Sequence, residues 1–410
     1  MACETGNINV GPSIAYLDSV LIGSTNELQL DAFKEFPDFT SFKARIELIR
    51  VPYLTQVHLE KSIYDFNIAR IAGEKHLSPH TTFVISLWSV LTRLKKPNAL
   101  SYQPQLTNAI SSMTPLEKAK LYDTGEVPAH LNNEERKLLR ASIKKLRDEY
   151  AHVPYYEGRI GASAREIKSI LFDAAQSPEY ECLSPLAVFK EVEDFVKRRT
   201  SEYDFLRQDV KDGYHDNFEF INQVRREYLQ RLDQEVREAT GVFAPTQYED
   251  FVKRYIQHVS VYLKKEKIKN PITGQMTAAD SALIEEFETI VGAPSIASDK
   301  ETFRHNVISQ IGAFALDHPN QPVDYKKVFP DFIRRLDDHY FGSQKDQLNR
   351  IARAIALQTV ERDNQTAAEN TTFEDSKLAA STVDKMVQQF QYCDACARRS
   401  IMYLVKLRYS

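Results

Sequence analysis

Cys393 and Cys396 form a C-x-x-C pair. A zinc site needs four ligands, and no second Cys or His pair stands at a suitable spacing. No metal site is therefore expected, and the two thiols read as one face of a helix through "MVQQFQYCDACARRSIMYLV". The stretch "DGYHDNFEF" gathers Asp212, His215, Asp216 and Glu219, types suited to acid/base work or metal binding. The same residues also read as a helix start, with Asp216 as the cap and Glu219 closing a box three residues on. Asn26 follows the apolar run "VLI" inside "VLIGSTNE". Ligands in open α/β sheets sit just past the carboxyl ends of strands, so Asn26 either faces a ligand or is a plain turn residue. The basic run "KKEKIKNPITGQ" ends in a turn built on Asn270, Pro271 and Gly274, and reads as a solvated helix end. No G-x-x-x-x-G-K-[ST] occurs, nor a run of aliphatics ending in Asp-Glu to hold magnesium. The glycine loop, H-R-D loop and D-F-G of ordinary protein kinases are equally absent.

These residues must be positioned by a chain of 410 residues, 42% hydrophobic and 27% charged, which is a globular composition. A net charge of −4 gives no whole-chain attraction to nucleic acid or to anionic membranes, so neither is an expected partner. No apolar run is long enough to span a membrane, and the N-terminus lacks a basic-then-apolar signal pattern. Four Cys in a chain of this size do not make a disulfide framework, so reduced thiols and a cytoplasmic location are expected. Only 13 Gly points to a mostly helical protein.

Period-two patterning is confined to residues 8–53. "INV", "IAYL", "VLI" and "RIELIRVPY" read as strands, with Gly11 and Pro12 turning a hairpin between the first two. The segment "LQLDAFKEFPDFTSFKA" is helix-sized. After Pro52 the period becomes helical. In "TPLEKAKLYDTG", Thr114 caps, Pro115 opens the helix, Glu117 completes a capping box and Gly125 stops it. "EERKLLRASIKKLRDEY" puts Leu139, Ile143, Leu146 and Tyr150 on one face. "ASAREIKSILFDAA" is another helix, and the polar stretch 176–185 is a candidate linker. Beyond it lie further helices, including one whose stripe is Phe218, Ile221, Val224, Tyr228, Leu232 and Val236. Residues 360–376 read as a mobile loop.

Several ordered blocks carry a resemblance that spans nearly the whole chain. "GNINVGPSIAYLDSVLIGSTNE", "FKARIELIRVPYLTQVHLEKSIY", "EGRIGASAREIKSILFDAAQ", "LSPLAVFKEVEDFVKRR", "DGYHDNFEFINQVRREYLQRLDQEVREATG" and "FRHNVISQIGAFALD" resemble the PrkA-type serine protein kinases. These are bacterial cytoplasmic proteins with an AAA+ ATPase module ahead of a helical C-terminal domain. The resemblance implies a mostly α fold: a remnant of an α/β AAA+ core in 1–65, a helical lid in 66–180 and an all-helical C-terminal domain in 181–410.

By the same resemblance, Asn26 falls at the sensor-1 position, where a strand-end Asn orients the water that attacks a γ-phosphate. Arg165 in "GASAREIK" matches the lid's sensor-2 arginine. Arg45 in "FKARIELI" matches an arginine finger, a role suited to a permanently charged fork. The plain alternatives are a strand-edge charge for Arg45 and a surface ion-pair partner for Arg165. No catalytic base is assigned. The implied reaction is phosphoryl transfer from ATP to Ser or Thr of proteins, using ATP and magnesium in the complete protein. The alternatives are a non-enzymatic helical interaction module, or part of an AAA+ remodelling ATPase. Family members begin with a long segment carrying the P-loop and the acidic magnesium-binding strand. The expectation is thus a C-terminal portion that binds no nucleotide tightly by itself. Its partner would be the missing N-terminal AAA+ segment or its own oligomer. Residues 1–53 would then favour self-association, while 181–410 would stay soluble alone.

Overall fold

The computed structural model describes residues 6–409 apart from 17, 19, 21, 129, 242–244, 270–275, 295, 318–322 and 364–372. Two units divide at Tyr53 and Leu54. In the smaller, Gly11 takes φ 62°, and this turn closes the antiparallel strands Asn7–Val10 and Ser13–Tyr16, as the hairpin reading expected. The strands expected at 20–22 and 45–53 do not form among the described residues. Val20, Ile22 and Val51 are 88%, 89% and 84% exposed. An apolar run becomes a strand only where a neighbour takes its backbone hydrogen bonds and covers a face, and these runs have none within their unit. The helix-sized segment splits into Glu27–Lys34 and Phe39–Lys43 around Pro37. The rings of Phe33 and Phe39 meet edge-on at 5.6 Å across that break.

The larger unit is helical, with helix ends where local chemistry puts them. Glu117 N donates to Thr114 Oγ1 at 3.2 Å, the Glu117 carboxylate accepts from Thr114 N at 2.9 Å, and Gly125 at φ 73° ends Pro115–Thr124. The amphipathic stretch from Glu134 to Tyr150 breaks into Asn133–Ala141 and Ile143–Asp148. The Ser142 hydroxyl donates back to the Leu138 carbonyl at 2.9 Å, a bond that bends helices. Its apolar face survives the bend, since Leu139 and Leu146 are buried.

One core joins Val57–Asp65, Thr81–Leu91, Ala164–Gln176, Pro185–Arg198 and Asn217–Thr240. Thr81–Leu91 is buried almost all round, and Trp88 meets Phe195 and Phe205 edge-on. On Asn217–Thr240 the stripe Ile221, Val224, Tyr228, Leu232 and Val236 is buried, whereas Phe220 takes the place expected for Phe218, which is half exposed. The polar stretch 176–185 is a clamped connection instead of a linker. Lys75 Nζ donates to the Ser177 and Tyr180 carbonyls at 2.6 Å each, and Cys182–Leu183 pairs in parallel with His76–Leu77. The core therefore runs unbroken past residue 180, which removes the expectation that 181–410 is independently soluble.

A second cluster, from Tyr248 to Leu336, forms around Phe287, whose ring stacks on Tyr255 with centroids 4.0 Å apart. The helix Pro330–Asp363 places Leu336 in this cluster and Leu348, Ile351, Ala354 and Ile355 in the main core. Phe373–Phe390 and Asp394–Leu404 then fold back onto Asn217–Thr240. The turn at Asn270, Pro271 and Gly274 lies outside the described residues, and the strands beside it, Ile268–Lys269 and Met276–Thr277, pair antiparallel. The central part of the loop expected at 360–376 also lies outside them, while Phe373 onward is helical. No helix among the described residues is long and apolar enough to cross a membrane.

Candidate functional site

The segment "EGRIGASAREIK" is held from below by buried charge. Arg93 donates to both carboxylate oxygens of Glu60 at 2.7 Å, to the Ala162 carbonyl through Nε at 3.0 Å, and to the Leu54 carbonyl at 2.8 Å. Both side chains of the pair are 1–2% exposed. Tyr64 also donates to Glu60, and burial together with that carboxylate pushes its phenol well up. Ala162 N donates to Thr92 Oγ1 at 2.9 Å. Gly161, at φ 148°, lies so close to Arg93 that an added Cβ would stand 2.4 Å from Arg93 Cγ, so only glycine fits. At the segment's start, Glu157 accepts from Lys118 Nζ at 2.5 Å, Lys95 N at 2.7 Å and Tyr122 at 3.0 Å.

From this base rises the helix Ala164–Gln176, with Ser163 as N-cap and Glu166 closing the capping box. Arg165 is in its first turn, exposed, and its guanidinium makes no ion pair among the described residues. A cation there opposes the helix dipole, which favours negative charge at an N-terminus. Asn26 is the exposed N-cap of Glu27–Lys34, and its side chain makes no capping bond. It thus heads a helix and does not end a strand. Arg45 donates to the Ser41 carbonyl at 2.7 Å, one turn back. Asn26 and Arg45 belong to the smaller unit and Arg165 to the larger.

The group in "DGYHDNFEF" does not converge. Asp212 pairs with Lys96, Asp216 caps its helix by accepting from Glu219 N at 2.9 Å, and Glu219 turns away to Arg226 instead of closing a box. His215 is half-buried, and burial first, then Lys95, lowers its pKa.

The thiols form a different picture from the expected helix face. Gln391, at φ 64°, ends Phe373–Phe390, and Cys393 restarts the chain as N-cap of Asp394–Leu404. Strand pairing sets His76 beside Cys182. The fold brings both strands to the Cys393 turn, so His76, Cys182, Cys393 and Cys396 hold their ligand atoms within 4.8 Å of one another. Cys182 Sγ is 3.3 Å from Cys393 Sγ, Cys393 Sγ is 3.5 Å from Cys396 Sγ, and Cys396 Sγ is 3.6 Å from His76 Nδ1. The Cys182 hydrogen bond, opposed by burial and aided by the Cys393 amide, pulls the Cys396 thiol down to about 5. That bond and burial push the Cys182 thiol up. Sequence reasoning missed this group because two of its members are single residues far along the chain, with no local spacing to find them.

Two family models match the chain: the PrkA AAA domain over residues 2–101 and the PrkA serine protein kinase C-terminal domain over residues 116–403. Among curated proteins, the ATP-dependent protease PrkA of Bacillus subtilis (strain 168) is 24% identical over 368 residues, covering 86% of this chain and 53% of that protein. The serine/threonine kinase YeaG of Escherichia coli (strain K12) is 24% identical over 317 residues, covering 75% of this chain and 44% of that protein. The chain spans about half the length of the curated relatives it matches. No solved structure matches it.

Proposed function

The chain belongs to the family of the PrkA serine protein kinase C-terminal domain, and from that premise we propose that it is the nucleotide-responsive C-terminal portion of a PrkA-type AAA+ protein, working in serine/threonine phosphoryl transfer. The observation that carries this reading is the setting of Arg165. A charge with no counterion among the described residues stands on a capped helix start, against the dipole's preference, above a loop fixed by buried ion pairs. An arriving anion would relieve that unfavourable placement, a response that suits a phosphate sensor on a lid.

By the resemblance, Asn26, Arg45 and Arg165 each match a residue that touches a terminal phosphate, and their side chains are of types that can do so. They do not fit the whole of ATP with magnesium, because these residues include neither a ring of backbone amides for the β-phosphate nor carboxylates for the metal. The proposal therefore gives the P-loop-bearing AAA+ segment as the partner, with a protein as the phosphoacceptor. The lid role falls to residues 66–180, which share one core with the helices beyond residue 180.

The test is to mix the chain with the P-loop-bearing N-terminal segment of a relative and follow ATP hydrolysis and phosphate transfer to protein Ser and Thr. Turnover should appear only in the mixture. Arg165→Ala should lower it roughly 10²-fold, the usual loss for one charged contact at a developing anion, while thermal unfolding stays unchanged. Hydrolysis without phosphoprotein would favour the remodelling reading. No turnover in any combination would favour a non-enzymatic interaction module.

A further inference from the structure

The geometry points to a structural zinc site made by His76, Cys182, Cys393 and Cys396, a tetrahedral Cys₃His set that joins three remote segments of the chain. The ligand atoms already stand at a tetrahedron's scale. With Zn–S bonds of about 2.3 Å, the edges of a zinc tetrahedron are about 3.8 Å; three of the six separations here run from 3.3 to 3.6 Å, and none exceeds 4.8 Å. A disulfide would need sulphurs at about 2.05 Å, and all three cysteines are free.

The backbone around the sulphurs is shaped for thiolates. Cys393 N donates to Cys396 Sγ at 3.1 Å, and Cys396 N donates to Cys393 Sγ at 3.4 Å. Amides aimed at sulphur favour its ionised form, the form that binds metal. The Ser78 hydroxyl, two residues from His76, is buried and has no hydrogen-bond partner among the described residues. It is available as an outer-shell donor to a metal-bound thiolate. No carboxylate belongs to the group. Soft sulphur and imidazole donors select zinc over magnesium or calcium. Four protein ligands leave no open position, so the ion would serve architecture and not catalysis. Binding releases the remaining thiol protons to solvent, and the ion's charge offsets three thiolates gathered in a largely buried place.

The site also has a mechanical reading. It ties the strand before Thr81–Leu91 and the connection at 176–185 to the turn at Cys393, across 211 residues between Cys182 and Cys393 and 320 between His76 and Cys396. Closing spans of that length removes freedom mainly from the unfolded chain.

The experiment takes the full 410-residue chain, expressed in zinc-supplemented medium and purified without chelator. The readouts are elemental analysis and peptide-mapped alkylation of Cys182, Cys393 and Cys396. One zinc per chain is expected, with all three thiols protected, and a strong chelator should remove the ion and expose them together. Ser78→Ala, which keeps every ligand, should weaken zinc in a competition titration by roughly 10-fold. Cys396→Ser should lose the ion. Because that variant also removes a buried packing group, the chelator result on the unaltered chain decides the matter. Metal-free protein whose thiols are not protected by added zinc would overturn the proposal. So would iron in place of zinc, or a disulfide among the three.

Discussion

At the scale of single residues, the strongest statement concerns Glu60. Its carboxylate is the counterion of Arg93, and Arg93 in turn holds the Ala162 carbonyl below the Arg165 helix. Removing one member of a buried pair strands the other charge in a place that water does not reach. Glu60→Ala should therefore destabilise the larger unit by about 3–5 kcal/mol. Urea denaturation followed by circular dichroism measures this, and a loss under about 1 kcal/mol would mean the guanidinium finds other compensation. This pair was not legible in the sequence, since Glu60 lies on one helix and Arg93 in the turn that ends another, 33 residues on, with no local spacing to link them. The capping signals at Thr114, Glu117 and Gly125 were fully legible, because each acts within one turn of its own chain.

At the scale of elements, the period of the apolar residues identified most helices after Pro52, since helical hydrogen bonds are internal to the segment. The strands were read less well for the complementary reason. "VLI" and "RIELIRVPY" have strand composition, but a strand needs a neighbour that composition does not supply. The Cys393 turn was misread as helix because one residue, Gln391 at φ 64°, breaks an otherwise continuous apolar pattern. The bare runs around Val20, Ile22 and Val51 have a consequence. Exposed apolar segments with free backbone groups promote association. The full chain should self-associate in light scattering, and a chain starting at Leu54 should be monodisperse. A monomeric full chain at high concentration would count against this. The comparison uses residue 54 as its start, not 181, because the core is continuous across residue 180.

At the scale of the whole molecule, nucleotide affinity is the discriminating quantity. Charge-assisted hydrogen bonds to phosphate contribute roughly 1.5–3 kcal/mol each, and ordering and desolvation offset most of that. The chain alone should bind magnesium ATP no more tightly than about 1 mM, near −4 kcal/mol. Calorimetric titration checks this, and a micromolar dissociation constant would reveal a phosphate site built from other residues. One architectural feature reaches beyond binding. The main core is begun by residues 57–239 and completed only by residues 348–409, with the Phe287 cluster made in between. On the ribosome, the early helices must therefore wait through more than a hundred further codons with their apolar faces uncovered. Nascent chains should recruit holdase chaperones during that interval, and a premature stop near residue 345 should yield insoluble protein although every early helix is already encoded. Ribosome profiling of chaperone-bound nascent chains reads the length of that wait directly, and release before residue 348 has been translated would show that the half-built core can close without its last helices.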